Sequence, residues 1–155
     1  MAGRRSFGGR GLGPSRRKAL YGLSGALFLT GVVWLSLHAP RGEDALPSPW
    51  ETWCMKVHGA CAMGLLFVLG SMLDGHILEN WGARRNRRSG AWMTAVLASL
   101  AVTGYGLYYF GGEGLRRATE WAHWLAGLLA APLIVWHVLD GRRLDSRPLP
   151  AEEDR

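Results

Sequence analysis

The stretch Trp121–Leu139, WAHWLAGLLAAPLIVWHVL, decides the fold that we predict for this chain of 155 residues. It contains no Asp, Glu, Lys or Arg and is close to the ~20 apolar residues that a helix needs to cross a bilayer. Its only ionisable side chains are His123 and His137. The stretch therefore predicts a transmembrane helix with two imidazoles inside the apolar span.

Three further apolar runs precede this stretch: Ala19–Leu37, Val57–Leu78 and Ala91–Phe110. The connections between the runs are short and rich in Gly, Pro and Arg, so neighbouring helices are predicted to be antiparallel. The sequence thus predicts an all-α, four-helix transmembrane bundle. We expect a basic cytoplasmic tail over residues 1–18, a membrane domain over 19–140 and a second cytoplasmic tail over 141–155.

The basic residues predict the orientation of these helices. Fourteen of the 18 Lys and Arg residues lie in the two tails and in the loop between the second and third runs. Because short cytoplasmic loops carry the excess of Lys and Arg, both termini are predicted inside (N-in/C-in), in a multi-pass protein of the bacterial inner membrane. The net charge of +6 is explained by this asymmetry, and nucleic acid is not a predicted partner.

Histidines also bracket the second apolar run, at His58 and His76. The 18 positions from His58 to His76 complete about five turns of an α-helix, and the 14 positions from His123 to His137 fall ~40° short of four turns. Each pair is therefore predicted to lie on one face of its helix. The second and fourth helices run in the same direction, from outside to inside, so the two stripes can face each other.

This arrangement predicts two tiers of paired imidazoles. His58 and His123 form the outer tier, and His76 and His137 form the inner tier. Two facing imidazoles can hold a haem iron from both sides, and bundle cores commonly bind cofactors in this way. The tiers match imperfectly, because the histidines are ~27 Å apart on the second helix and ~21 Å apart on the fourth. A tilt or kink is expected to absorb the difference.

Other readings of these residues remain open. The histidines can hold one haem or no metal, since a single histidine at a helix end is an ordinary interfacial residue. His38, at the outer end of the first helix, is an alternative to His58 as ligand. Asp74 and Asp140, each within one turn of an inner histidine, can orient an imidazole or carry protons, or simply be solvated helix ends.

Small residues lie beside the two outer histidines. Ala62 follows His58 by four positions, and Gly127 follows His123 by four. We expect them to leave room for a flat macrocycle between the helix backbones, although small residues serve plain helix packing in lipid equally well.

The run His123-Trp-Leu-Ala-Gly127, continuing to His137-Val-Leu-Asp-Gly-Arg142, resembles the haem-binding helix of bacterial di-haem b-type cytochromes, the four-helix subunits of hydrogenases and formate dehydrogenases. The segments Lys56-Val-His58-Gly-Ala, Arg84-Arg-Asn-Arg-Arg-Ser-Gly90 and Thr103-Gly-Tyr-Gly-Leu-Tyr108 add to the resemblance, which covers roughly residues 50–143. It implies two non-covalent haems b with bis-histidine coordination. Many of these cytochromes take one inner ligand from the start of the first helix, and His76 is expected to replace it here.

These observations predict an electron-transfer subunit that is not itself an enzyme. It would carry iron as haem in a respiratory chain and link a periplasmic redox partner to quinone or a cytoplasmic-side acceptor. Besides the lipid bilayer, the expected partner is a c-type cytochrome or another redox subunit, and quinone is a further candidate cofactor. The alternatives are a haem-free membrane anchor or assembly subunit, and a small transporter of protons or divalent metal.

Overall fold

The computed structural model describes residues 13–41, 45–82 and 86–145, without the side chains of residues 74–76, 79–80 and 144–145. Over these residues the chain is helical, with short connections. The elements in chain order are α1 (Pro14–His38), α2 (Pro49–Ser71), a π-helical segment (Leu73–Leu78), α3 (Glu79–Gly82), α4 (Arg87–Tyr109) and α5 (Glu113–Asp145).

Four helices of the described residues, α1, α2, α4 and α5, are long and apolar enough to cross a membrane. Large apolar side chains lie exposed along each of them, including Leu29, Phe67, Val102 and Leu129. In water such surfaces would be unfavourable, whereas lipid chains solvate them. The predicted all-α fold with four membrane-length helices is confirmed, and the protein is a multi-pass membrane protein in contact with the bilayer. The N-in/C-in orientation stays a prediction.

The chain divides into two compact units, Met1–Glu79 and Asn80–Arg155. The first contains a hairpin in which α1 packs on α2, and the second a hairpin in which α4 packs on α5. In the first hairpin a methyl group at Gly64 would lie 3.3 Å from a terminal carbon of Leu23. In the second hairpin a methyl group at Gly127 would lie 3.9 Å from Leu100. Glycines therefore allow close helix contact within each hairpin.

The helices begin earlier than the apolar runs predict. α2 begins at Pro49, in the segment expected to form a loop, because a capping box starts it there. The Ser48 hydroxyl accepts from the Glu51 amide (3.2 Å), and the Glu51 carboxylate accepts from the Ser48 amide (2.9 Å). Pro49 occupies the first helical turn, where its missing N–H costs nothing. Likewise, α1 begins at Pro14, inside the predicted tail, while residues 1–12 and 146–155 lie outside the described part.

The C-terminal end of the second span departs from the prediction of one α-helix through Leu78. α2 ends at Ser71, and a π-helical turn follows, in which the Ile77 amide donates to the Met72 carbonyl (3.3 Å). Gly75, a poor helix former, lies in the middle of this turn. A π turn uses more residues per turn than 3.6 and advances less per residue. The count that put His58 and His76 on one face ~27 Å apart assumes an uninterrupted α-helix, and the π-helical segment interrupts it.

The contact between Gly64 and Leu23 makes a prediction for the first hairpin. Gly64→Val should lower the free energy of unfolding by about 1–3 kcal/mol, because the added methyl groups overpack the contact with α1. Gly70→Val is the matched control, since a methyl group at Gly70 meets no atom within 4 Å. Denaturant titration in mild detergent would measure both. Equal losses for the two variants would show that the close contact is unimportant.

Candidate metal-ligating histidines

His58 lies on α2 and is hydrogen-bonded to α1. Its Nδ1 is 3.0 Å from the Thr30 hydroxyl. The Thr30 hydroxyl also lies 2.7 Å from the Ala26 carbonyl, four residues earlier on the same helix. Next to Thr30 is Gly31, where a methyl group would lie 3.4 Å from Cε1 of the ring. The imidazole thus rests on a glycine, with one nitrogen against the neighbouring hydroxyl.

The single proton of the Thr30 hydroxyl determines the tautomer of His58. A carbonyl only accepts, so the short contact to Ala26 uses the hydroxyl proton. The hydroxyl oxygen must then accept from the ring, which places a proton on Nδ1 of His58. A neutral imidazole with its proton on Nδ1 carries its lone pair on Nε2, the atom that binds a metal in that tautomer.

His123, on α5, is held by α4 in the same way. Its Nδ1 is 2.9 Å from the Thr103 hydroxyl, which lies 2.7 Å from the Ser99 carbonyl. A methyl group at Gly104 would lie 3.5 Å from Cε1 of the His123 ring. The hydroxyl proton is again used within the helix. His123 therefore also carries its proton on Nδ1 and its lone pair on Nε2.

His137 repeats the arrangement one tier further along the second hairpin. Its Nδ1 is 3.0 Å from the Ser89 hydroxyl, and a methyl group at Gly90 would lie 3.8 Å from its Cε1. The two hydroxyls on α4 are 14 residues apart, as are the two histidines on α5. Because the helices are antiparallel and rise equally per residue, one register satisfies both contacts.

The Ser89 hydroxyl, which contacts His137, lies near side-chain acceptors, whereas Thr30 and Thr103 donate to main-chain carbonyls of their own helices. The Ser89 hydroxyl donates to the amide oxygen of Asn86 and lies 3.4 Å from a carboxylate oxygen of Asp140. Asn86 adopts a left-handed conformation (φ 51°), which asparagine tolerates, and its amide nitrogen donates to the His137 carbonyl (3.1 Å). Ser89 is completely buried. With its proton directed to Asn86, the Ser89 oxygen faces Nδ1 of His137 as an acceptor, and the amide nitrogen of Asn86 lies 3.4 Å from the same Nδ1.

Three of the predicted histidines thus share one kind of partner, a hydroxyl residue followed directly by glycine on the neighbouring helix. We call these dipeptides the hydroxyl–glycine pairs; they are Thr30–Gly31, Ser89–Gly90 and Thr103–Gly104. The sequence interpretation missed this role. The sequence does contain a signal, since each hydroxyl–glycine pair has a histidine on the antiparallel partner helix. Only the register of each hairpin, however, shows which glycine lies against which imidazole ring.

His38 differs from the other three. Nη2 of Arg41 donates to Nδ1 of His38 (3.0 Å), and the ring stacks on Trp34 with 4.3 Å between centroids. Arg41 is always a donor, so neutral His38 carries its proton on Nε2. Glu51 completes the cluster, with a carboxylate oxygen 3.5 Å from Nε of Arg41. The Nδ1 atom of His38 therefore faces Arg41 and Glu51, whereas Nδ1 of His58 faces a hydroxyl that has already donated its proton.

Gly127 and Asp140 were also singled out in the sequence. A methyl group at Gly127 would meet Leu100, so this glycine serves helix packing within the second hairpin. Asp140 contacts Ser89, so it reaches His137 through the hydroxyl. For His76 and Asp74 the structure gives only the backbone, within the π-helical segment; their predicted roles lie outside the described side chains.

Loss of one hydroxyl should weaken the second hairpin. Thr103→Val keeps the side-chain shape but leaves Nδ1–H of His123 without its acceptor, and we expect a loss of about 1 kcal/mol in unfolding free energy. Thr103→Ser should restore most of it. Thr94→Val is the matched control, because exposed Thr94 bonds only to the Gly90 carbonyl of its own helix (2.9 Å). Denaturant titration in detergent should separate these variants; a similar loss for Thr94→Val would contradict the role assigned to Thr103.

Within the described residues, no three or more His, Cys, Asp or Glu side chains gather into a metal-binding group. A bis-histidine haem needs only two protein ligands per iron. No family model, no curated protein and no solved structure matches this chain. What the protein does is therefore inferred from its helices, its histidines and their hydrogen-bond partners.

Proposed function

We propose that this protein is a transmembrane electron-transfer subunit that carries two haems b. His58 and His123 are the proposed ligands of the outer haem, and His76 and His137 those of the inner haem. The protein itself would catalyse no bond-making step. It would pass single electrons between a periplasmic redox partner and quinone or a cytoplasmic-side acceptor.

The observation that carries the proposal is the hydrogen bond from Nδ1 to a hydroxyl at His58, His123 and His137. Histidine ligands almost always donate their second ring N–H to an acceptor that fixes the tautomer and raises the basicity of the ligating nitrogen. A structural histidine in a membrane helix needs a partner too, but it has no reason to use the same atom, partner type and glycine three times. This repetition supports ligation through Nε2.

The two histidines of the proposed outer pair have corresponding local environments. His58 and His123 come from different hairpins, and each has a threonine at Nδ1 and a glycine against the ring edge. The glycines let the imidazole lie close to the partner helix. For the inner pair, His137 has the corresponding environment, whereas His76 is proposed from its place in the sequence alone.

Ligand type supports electron transfer as the chemistry. Iron with two histidine ligands has no open position, which disfavours oxygen binding and suits one-electron cycling. In the proposal the imidazoles would hold the iron, the hydroxyl–glycine pairs would orient the imidazoles, and the apolar helices would exclude water. A haem-free anchor or a transporter would not require these paired tautomers.

The proposed setting is a bacterial inner membrane with both termini in the cytoplasm, based on the distribution of Lys and Arg. The outer pair would then lie near the periplasm and the inner pair near the cytoplasm. A c-type cytochrome or another redox subunit is the proposed partner, since the described residues lie almost entirely in membrane-length helices.

Haem analysis tests the function directly. Purified protein should give a pyridine haemochrome spectrum of haem b with two haems per chain. His137→Ala should remove about half of the haem, because one of two ligand pairs is lost. His38→Ala is the matched control and should retain all of the haem, because His38 carries its proton on Nε2 and is not a proposed ligand. Protein without b-type bands, or full haem retention in His137→Ala, would exclude the proposal.

The glycines give a second, independent test. Gly31→Leu should displace the His58 imidazole and lower haem content to about half, because a large side chain cannot share the space now filled by the ring edge. Gly25→Leu on the same helix is the control, since a methyl group at Gly25 meets nothing within 4 Å. Haem-to-protein ratios of variants purified under identical conditions would decide.

A further inference from the structure

Basic side chains are concentrated at one end of the second hairpin, where α4 begins and α5 ends. The Ser89 hydroxyl contacts His137, and a methyl group at Gly141 would lie 3.5 Å from the amide nitrogen of Asn86. The two helices therefore reach this end side by side. Its exposed arginines are Arg87 and Arg88 on α4 and Arg142 and Arg143 on α5.

The charge of this end is strongly positive. Among its described side chains Asp140 is the one carboxylate, and it is directed into the hairpin, with an oxygen 3.4 Å from the Ser89 hydroxyl. Both helices are long and apolar enough to cross a membrane, and the arginines lie at the ends of these spans. Exposed positive charge is thus placed at the boundary of the bilayer, where lipid phosphates lie.

Two of the arginines lie on the same side of the hairpin. Ser89 faces α5, and Arg88 precedes it by one position, so Arg88 is turned ~100° backwards around the axis of α4. His137 faces α4, and Arg143 follows it by six positions, which leaves Arg143 ~120° backwards around the axis of α5. Because the helices are antiparallel, rotations in the same sense lead to the same side. Arg88 and Arg143 therefore share a side.

Two exposed tryptophans lie on the side that Arg88 and Arg143 share. Trp92 follows Arg88 by four positions and Trp136 precedes Arg143 by seven, so each tryptophan lies on the same helix face as its arginine. The exposed fractions of Trp92 and Trp136 are 63% and 44%. Both tryptophans are farther from the end of the hairpin than the arginines. Charged groups beside the headgroups and indoles just below them are typical of a membrane interface.

The opposite side of this end differs in both respects. Arg87 is engaged by the carbonyl oxygen of Trp81, to which its Nε and Nη2 donate at 2.9 and 2.7 Å. Arg142 is exposed there, but the neighbouring positions farther from the end are Gly90 and Val138, which offer no aromatic surface. Arginine and tryptophan are therefore combined on one side of the hairpin end.

We propose that Arg88, Arg143, Trp92 and Trp136 form a binding surface for an anionic phospholipid of the membrane. The two guanidinium groups bind the phosphodiester, since each offers five N–H donors in a planar fork that matches phosphate oxygens. The indoles contact the glycerol region and the adjoining part of the acyl chains. The bound lipid ties this end of the hairpin to the headgroup layer. This role is independent of haem binding.

Native mass spectrometry of the full-length protein in detergent tests this surface, with phosphatidylglycerol as the probe and phosphatidylcholine as the comparison. One phosphatidylglycerol should stay bound per chain under conditions that remove phosphatidylcholine. Arg88→Gln combined with Arg143→Gln should weaken its binding about 30-fold, because each arginine beside an anionic headgroup contributes about a factor of five. Arg87→Gln combined with Arg142→Gln is the matched control: it removes the same charge from the same end and should change the affinity about twofold at most.

A photoactivatable phosphatidylglycerol on the unmodified protein gives a second test that does not depend on the folding of variants. Crosslinks should map to the segments around Trp92 and Trp136. Crosslinks confined to the opposite end of the hairpin, near exposed Tyr105 and Trp121, would overturn the inference.

Four further outcomes would also overturn it. Equal retention of phosphatidylcholine, or equal losses in the two double variants, would show that no specific surface exists. Displacement of the lipid by millimolar inorganic phosphate would show that the arginines bind phosphate without the tryptophans. A dimer that forms in place of the lipid adduct would show that a second copy of the chain covers this side.

Discussion

A threonine or serine hydroxyl has only one proton, and this constraint governs the arrangement of the histidines. In Thr30 and Thr103 the proton is used by a carbonyl one helical turn earlier. The oxygen can then only accept from the opposite helix, so the facing imidazole must be the donor. A local feature of one helix therefore sets the protonation of a ring on another. That ring presents its lone pair at the atom farthest from the hydroxyl.

The glycine that follows each hydroxyl residue is the second feature that the three histidine contacts share. Consecutive residues of a helix are separated by ~100°, so the residue after the hydroxyl lies beside the same groove. At Gly31, Gly90 and Gly104 the absent side chain gives the ring edge its space. The hydroxyl orients the imidazole through a hydrogen bond, and the glycine lets the ring lie close to the backbone of the neighbouring helix. Small and polar residues are typical of helix contacts in membranes, and here they also serve the histidines.

Hydropathy predicted the number and type of the long helices, because membrane spans carry a strong compositional signal. It missed where they begin, since the capping box at Ser48 and Glu51 lies outside the apolar runs. It also missed the π-helical turn after Met72, because counting at 100° per residue assumes an uninterrupted α-helix. The histidines were recognised from their spacing, but the roles of Thr30, Ser89 and Thr103 depend on hairpin register. Hydropathy and periodicity along one helix do not contain that information.

The two contacts between α4 and α5 have a consequence for how this hairpin can change. Ser89 meets His137 and Thr103 meets His123, with 14 residues between the contacts on each helix. Inserting or deleting one residue between the contacts on α4 alone would rotate one hydroxyl by ~100° away from its histidine. Only a matching length change on α5 would restore both. The segments of α4 and α5 that lie between these two contacts must therefore have equal lengths. The loop that joins the two helices lies outside the contacts, so its length can change without moving either of them.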